Sequence, residues 1–175
     1  MSRSRSRSRV ALSQGYVVKN LFSWGKPKEV TKQPMYKVIP PGEKLDRLKA
    51  YSEHILGVLR SSAPATTYGA AAVERLSDVI NGGRLGYDEA AQTKIANLYG
   101  CFLGTSLIET YKAHHPRWIE SDDGMGIVFA APPGAVEKIA FPITRVFKQI
   151  EQGNVSSIHA WFLAIPEFIA SNPRR

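Results

Sequence analysis

The chain has 175 residues, a formal net charge of +8, and 43% hydrophobic against 22% charged residues. That is ordinary globular composition, and it is long enough for one domain whose core needs neither disulfides nor a metal. Its single cysteine, Cys101, excludes an intramolecular disulfide, and no apolar run approaches the roughly 18 residues of a membrane span.

The charge is unevenly held. Residues 1–34 carry eight basic residues against Glu29 alone, a charge of +7, which leaves +1 for residues 35–175. In "MSRSRSRSRV", Arg3, Arg5, Arg7 and Arg9 alternate with serine and have nothing to bury, so a disordered tail is expected. Pro27 and Pro34 extend it as a linker up to Met35. Four readings fit this tail. It is a solvated extension ahead of a true start at Met35, or an arm for nucleic acid or another anionic partner, with Tyr16, Phe22 and Trp24 available for stacking. Alternatively it is an Arg- and Ser-rich organelle transit peptide, or a phosphorylatable Ser-Arg module. The remaining near-neutral domain lacks the basic face that tracks a phosphate backbone. Lys19 and Asn20 interrupt the one apolar stretch that resembles a signal peptide, so a cytoplasmic protein is expected, or an organellar one if the source is eukaryotic.

The first helix is predicted from "PPGEKLDRLKAYSEHILGVLRSSA", where Pro41 and Glu43 suit the first turn. Leu45, Leu48, Ile55 and Leu59 fall close to one face. A second helix is predicted over Thr67–Asn81, stopped by Asn81-Gly82-Gly83 through left-handed backbone positions. The third, capped by Asp88, is apolar on nearly all sides and should be central. Gly100 and Gly104 lie four residues apart on it and indicate close approach of a neighbouring element, and Pro116 should end it.

The period then changes. "RWIES", "MGIVFAA" and "VEKIAF" read as three strands of an antiparallel meander, turned at Asp123-Gly124 and Pro133-Gly134. Met125, Ile127 and Phe129 share one face. Ile143, Val146, Phe147 and Ile150 mark a fourth helix ending near Gly153. Ile158, Trp161, Phe162 and Ile165 mark a fifth, kinked or ended by Pro166. The expected fold is α+β: three N-terminal helices, a three-stranded antiparallel meander and two C-terminal helices, with helices covering one face of the sheet.

No motif specifies a reaction. His114 and His115 are adjacent and point about 100° apart on a helix, so they cannot chelate one metal from one face. His54 and His159 stand alone. Cys101 lies in the most apolar helix, where a core role outweighs a nucleophilic one. "NGGRLG" lacks the phosphate-loop Lys-Ser/Thr, "GTS" is no nucleophile elbow, and "ESDDG" lacks EF-hand spacing and suits a hairpin turn. Neither a cofactor nor a metal is expected.

The string "YGCFLGTSLIETY…RWIESDDGMGIVF…FPITRVFKQIEQGNVSSIHAWFLAIPEFI" resembles an uncharacterised bacterial α+β domain family of unknown function, over about residues 99–169. The resemblance rests on Gly100, Gly104, Trp118, Gly124, Pro142, Glu151, Gly153, Ser157 and Trp161. It implies an interaction protein, with bacterial immunity proteins as the analogy. The expectation is a non-enzymatic protein-interaction domain of immunity or adaptor type. Its proposed contacts with a partner protein are the acidic hairpin Glu120, Asp122 and Asp123 together with Trp118, which is either a binding anchor or core. The alternative is a nucleic-acid-associated protein acting through Arg3, Arg5, Arg7 and Arg9.

Overall fold

In order along the chain, ten elements form: β1 (Tyr36–Val38), α1 (Glu43–Ser62), α2 (Ala70–Gly83), α3 (Glu89–Thr110), β2 (Arg117–Ser121), β3 (Gly124–Phe129), β4 (Lys138–Ala140), α4 (Pro142–Gln152), α5 (Ile158–Leu163) and α6 (Ile165–Ala170). The computed structural model describes residues 36–131 and 136–171, all within one unit that begins at Pro34. The Arg3–Arg9 run and the Pro133-Gly134 turn lie outside the described residues.

The α+β class is observed, with one strand more than the expected meander. Among the described residues the sheet is antiparallel with order β1-β2-β3-β4. β1 pairs Val38 with Ile119 and Tyr36 with Ser121, and just beyond it the Ile39 amide donates to the Trp118 carbonyl at 2.9 Å. Three residues followed by Pro40 and Pro41 are too short to display an alternation, so only the pairing with β2 reveals this strand. The β2–β3 turn is Asp122-Asp123, and Gly124 behind it adopts a φ of 106°, the positive value that glycine tolerates best.

The register sets Trp118 opposite Ile127, and Ile127 opposite Ala140. These residues and Phe129 join the main core. On the opposite face Ile119 and Val128 are also wholly buried. There the Tyr36 hydroxyl donates to Glu137, joining the two edges of the sheet.

α3 is the central helix, as its composition predicts. It packs against α1 and α4 and buries Ala96, Gly100–Gly104, Ser106 and Leu107. Its start follows from Asp88, whose carboxylate accepts from the Ala91 amide at 2.7 Å. Its two glycines mark the closest approaches in the core. A Cβ on Gly100 would lie 2.6 Å from the Ile143 Cα, and one on Gly104 would lie 2.3 Å from the Trp118 ring.

Three helix ends differ from the sequence expectation. α2 runs through Gly82 and Gly83 without a left-handed residue and passes into a 3-10 turn, Arg84–Gly86. Gly83 is required for space instead: a Cβ there would strike the Tyr87 ring. α3 ends at Thr110, six residues before Pro116, and just beyond it the Tyr111 hydroxyl donates to the Phe162 carbonyl at 2.9 Å. His114 and His115 therefore sit in and after a 3-10 turn, with His115 left-handed at φ 44°. The expected fifth helix is two, α5 and α6, parted at Ala164, and Pro166 opens the second rather than kinking the first.

A buried amide ties the C-terminal helices to α2. Gln149, wholly buried on α4, donates through Nε2 to the Ser77 carbonyl at 3.0 Å. Its Oε1 accepts the Ile158 amide at 2.7 Å, an otherwise unpaired donor in the first turn of α5. The Ser157 hydroxyl caps the same helix.

Gly104→Ala should destabilise the protein by about 1–3 kcal/mol through overpacking against Trp118. Gly57→Ala, where a helical Cβ meets nothing within 4 Å, should stabilise it by about 0.5–1 kcal/mol. Chemical denaturation of the two variants checks both signs, and a neutral Gly104→Ala would mean that the ring and helix separate freely.

Candidate functional site

An apolar opening lies between α1 and α3, beside the end of β1. Its volume is about 480 Å³, within the roughly 300–1,000 Å³ of small-ligand sites. The cause is visible in the helix stripes. The core face of α1 is Leu48, Ser52, Ile55, Leu56 and Leu59, while Leu45, Lys49 and Glu53, at four-residue intervals, form a second stripe that lines the cleft. α3 answers with Thr105, Ile108 and Glu109. Lysine and glutamate hold their charged ends in water, so the two helices do not close over this stretch as they do further along. Ile39 and Trp118 form the floor. Pro40, Pro41 and Pro116 form rigid walls that have no amide hydrogen to satisfy.

Three polar side chains reach this apolar space with bonding capacity left over. Thr105 Oγ1 is withdrawn from solvent and has no hydrogen-bond partner among the described residues. A helical threonine ordinarily bonds to the carbonyl one turn back. Tyr68 accepts from the Ser52 hydroxyl at 3.2 Å and makes no donation of its own among the described residues. Lys49 at the rim forms no ion pair among the described residues, whereas Glu109 is met by Lys112 at 2.6 Å.

A second depression of about 420 Å³ adjoins the first and shares its Val38–Pro41 wall. Lys37, Lys44 and Glu120 border it. Lys44, in the first turn of α1, pairs with Glu120 on β2 at 2.7 Å, with both side chains about half exposed. The hydrogen bond and charge of Lys44, aided by Lys37 opposite on β1, hold the Glu120 carboxyl below the usual carboxylate range.

The residues singled out from the sequence are thereby dispersed over three environments. Trp118 is 3% exposed, stacked on Gly104 at the floor of the first cleft. Glu120 borders the second depression. Asp122 and Asp123 are exposed at the hairpin tip. Arg3, Arg5, Arg7 and Arg9 lie outside the described residues. Cys101 is buried, which pushes its thiol up to about 11 and leaves it protonated. His54 is exposed on α1 and His114 and His115 at the turn after α3, and among the described residues no three His, Cys, Asp or Glu side chains gather to hold a metal.

Lys49, Tyr68, Thr105 and Ile108 did not stand out in the sequence. The available signal was the Leu45–Lys49–Glu53 stripe, and it looks like any solvated helix face until α3 is set beside it. Comparison of the chain with protein families, with curated proteins and with solved structures finds no match in any of the three.

The Glu120 carboxyl is depressed in the folded state relative to the unfolded. The Lys44 pair therefore contributes above the unfolded carboxylate pKa, and its contribution is lost as pH falls through the folded value. In Lys44→Met, an NMR titration should find the Glu120 midpoint moved upward, back toward the ordinary carboxylate range. An unmoved midpoint would show that the two side chains do not pair in solution.

Proposed function

We propose that this domain is a non-enzymatic interaction module, of immunity or adaptor type, that docks a partner protein beside β1 and the β2–β3 hairpin. The observation that carries the reading is the pairing of an exposed apolar wall with the two exposed carboxylates of the hairpin tip, beside the Lys44–Glu120 pair. Val38 is 41% exposed for a β-branched strand residue. It adjoins a depression bordered by Glu120, whose hairpin holds Asp122 and Asp123 outward at its tip. Apolar surface with a charged margin is the usual anatomy of a protein interface.

Backbone chemistry favours docking by side chains over strand addition. Among the described residues β1 is an edge strand, three residues long. Lys37 lies within it and Pro40 and Pro41 follow, all features that discourage pairing with a further strand. The carboxylates would serve mainly to steer the approach of a basic partner surface, since exposed charges contribute more to association rate than to final affinity. Trp118 would support the adjoining wall from below.

Affinity capture from nuclease-treated extract, with the full chain and with the chain lacking residues 2–9, would identify the partner. Asp122→Lys combined with Asp123→Lys should then slow association by about tenfold or more at low salt and flatten its salt dependence. Val38→Glu should accelerate dissociation. Association and dissociation rates unchanged in both variants would remove this face from the interface. Retention of nucleic acid by the full chain alone would move the function to the Arg tail.

A further inference from the structure

The cleft between α1 and α3 opens on the wall where docking is proposed, and the identity of its occupant rests on that docking reading. Among the described residues its rim is electrically neutral. Lys49 and Glu53 stand one helical turn apart on α1, and Glu109 is met by Lys112 at 2.6 Å. Arg117 alternates with the buried Trp118 along β2 and acts on the Tyr36 phenol, so its side chain belongs to the other face of the sheet. An ionised group entering here would lose water without gaining a net counter-charge. Ile39, Leu45, Ile108 and Trp118 surround about 480 Å³ of space, which suits an uncharged and mostly apolar body.

Two hydroxyls on one wall call for a polar tip on that body. Tyr68, from the α1–α2 connection, packs its ring 5.5 Å from that of Phe102 on α3, and Thr105 lies one turn beyond Phe102. Tyr68 accepts from Ser52, and its own proton has no acceptor among the described residues. Thr105 Oγ1 is unpaired there and out of contact with solvent. It meets an occupant by rotating about χ1, for which a helical threonine has two staggered positions. The best tip both accepts from Tyr68 and donates to Thr105. A tyrosine hydroxyl does both, an indole N–H only donates, and a phenyl ring does neither. Tyrosine also buries a large apolar ring while keeping one polar end, which enriches it at protein interfaces.

The cleft is continuous with the acidic hairpin. It shares its Val38–Pro41 wall with the depression that Glu120 borders, and alternation along β2 sets Trp118 and Glu120 on one face. Glu120 is held by Lys44, whereas Asp122 and Asp123 are exposed and form no ion pair among the described residues. We propose that the partner anchors a tyrosine side chain in this cleft and sets basic side chains against Asp122 and Asp123. At about 3.3 Å per strand residue, those two contacts lie about 13 Å apart, the length of roughly four residues of extended peptide.

NMR titration of the full chain with p-cresol, the isolated tyrosine side chain, and with toluene, its hydroxyl-free counterpart, tests the cleft directly. Amide shifts at Leu45, Thr105, Ile108 and Trp118 should saturate at millimolar concentrations, with p-cresol about threefold to tenfold tighter than toluene. Tyr68→Phe should bring the two compounds to nearly equal affinity. Ile108→Trp should exclude both, and Leu45→Phe serves the same purpose should that variant fail to fold. Equal affinity in the unaltered chain would overturn the tyrosine. Absence of saturation, or binding that survives both filling variants, would overturn the site. A small molecule carried by the purified chain in native mass spectrometry would assign the cleft to a resident ligand and overturn the anchor as well. With the captured partner, Ile108→Trp should speed dissociation by about tenfold or more and leave the salt dependence of association as it is. Unchanged dissociation in that variant, with association still slowed by the Asp122→Lys and Asp123→Lys pair, would overturn the anchor and keep the docking surface. Faster dissociation in Ile108→Trp with the hairpin pair without effect would remove the acidic turn from the interface, and with it the basic half of the proposed partner.

Discussion

The close approach at Gly100 and Gly104 is the constraint on which the rest of the fold depends. α3 crosses the middle of the molecule, and a helix with ordinary side chains keeps its neighbours 8–10 Å away. Removing Cβ at two positions one turn apart lets the first turn of α4 and the Trp118 ring rest on the helix backbone itself. Pro142 and Ile143 are drawn in by the same approach, so the sheet and α4 are located against one stripe of α3. The remaining large side chains of that helix, Phe102, Leu103 and Leu107, are free to fill the other sides.

With α4 located, its polar side determines the C-terminal layer. Gln149 is wholly buried, and a buried amide without partners is costly. It is satisfied by Ser77 of α2 on one side and by the Ile158 amide on the other. One side chain thus joins three helices and fixes where α5 begins. Tyr111 acts similarly at the far end, with its ring against Phe129 and Phe162 and its hydroxyl on the Phe162 carbonyl. Both devices trade hydrogen bonds across elements distant in sequence, and such networks specify a single arrangement because half-satisfied alternatives are penalised.

The cleft is the counterpart of that tight centre. α1 and α3 share one core, yet they part where Lys49 and Glu53 occupy the second stripe of α1. The Pro40-Pro41 segment keeps the edge strand from folding over the gap. Beside it the Lys44–Glu120 pair fastens the start of α1 to β2. Because that pair is exposed, it acts as a register mark more than as a source of stability. The concave surface therefore lies on rigid supports: two long helices, a strand and a proline wall.

Much of this architecture was legible in the residues alone. The helical periods of α1, α3 and α4, the Asp88 cap, a hairpin turn within "ESDDG" and the need for something close against Gly100 and Gly104 all follow from local chemistry. Those signals are local because a cap, a turn or an apolar stripe is defined within a few residues. The features that depend on distant contacts were less legible. β1 is a strand only because β2 offers it hydrogen bonds. Gly82-Gly83 continues a helix, with Gly83 leaving room for the Tyr87 ring, and α3 ends well before Pro116. Trp118 has the same residue identity as an anchor or as core, and only the fold sets its ring against Gly104. What the sequence determined by itself was the set of elements and the one helix able to sit at the centre. Only the tertiary structure decided which polar residues would converge, since Lys49, Tyr68, Thr105 and Trp118 come from four separate segments that meet only when packing brings them together.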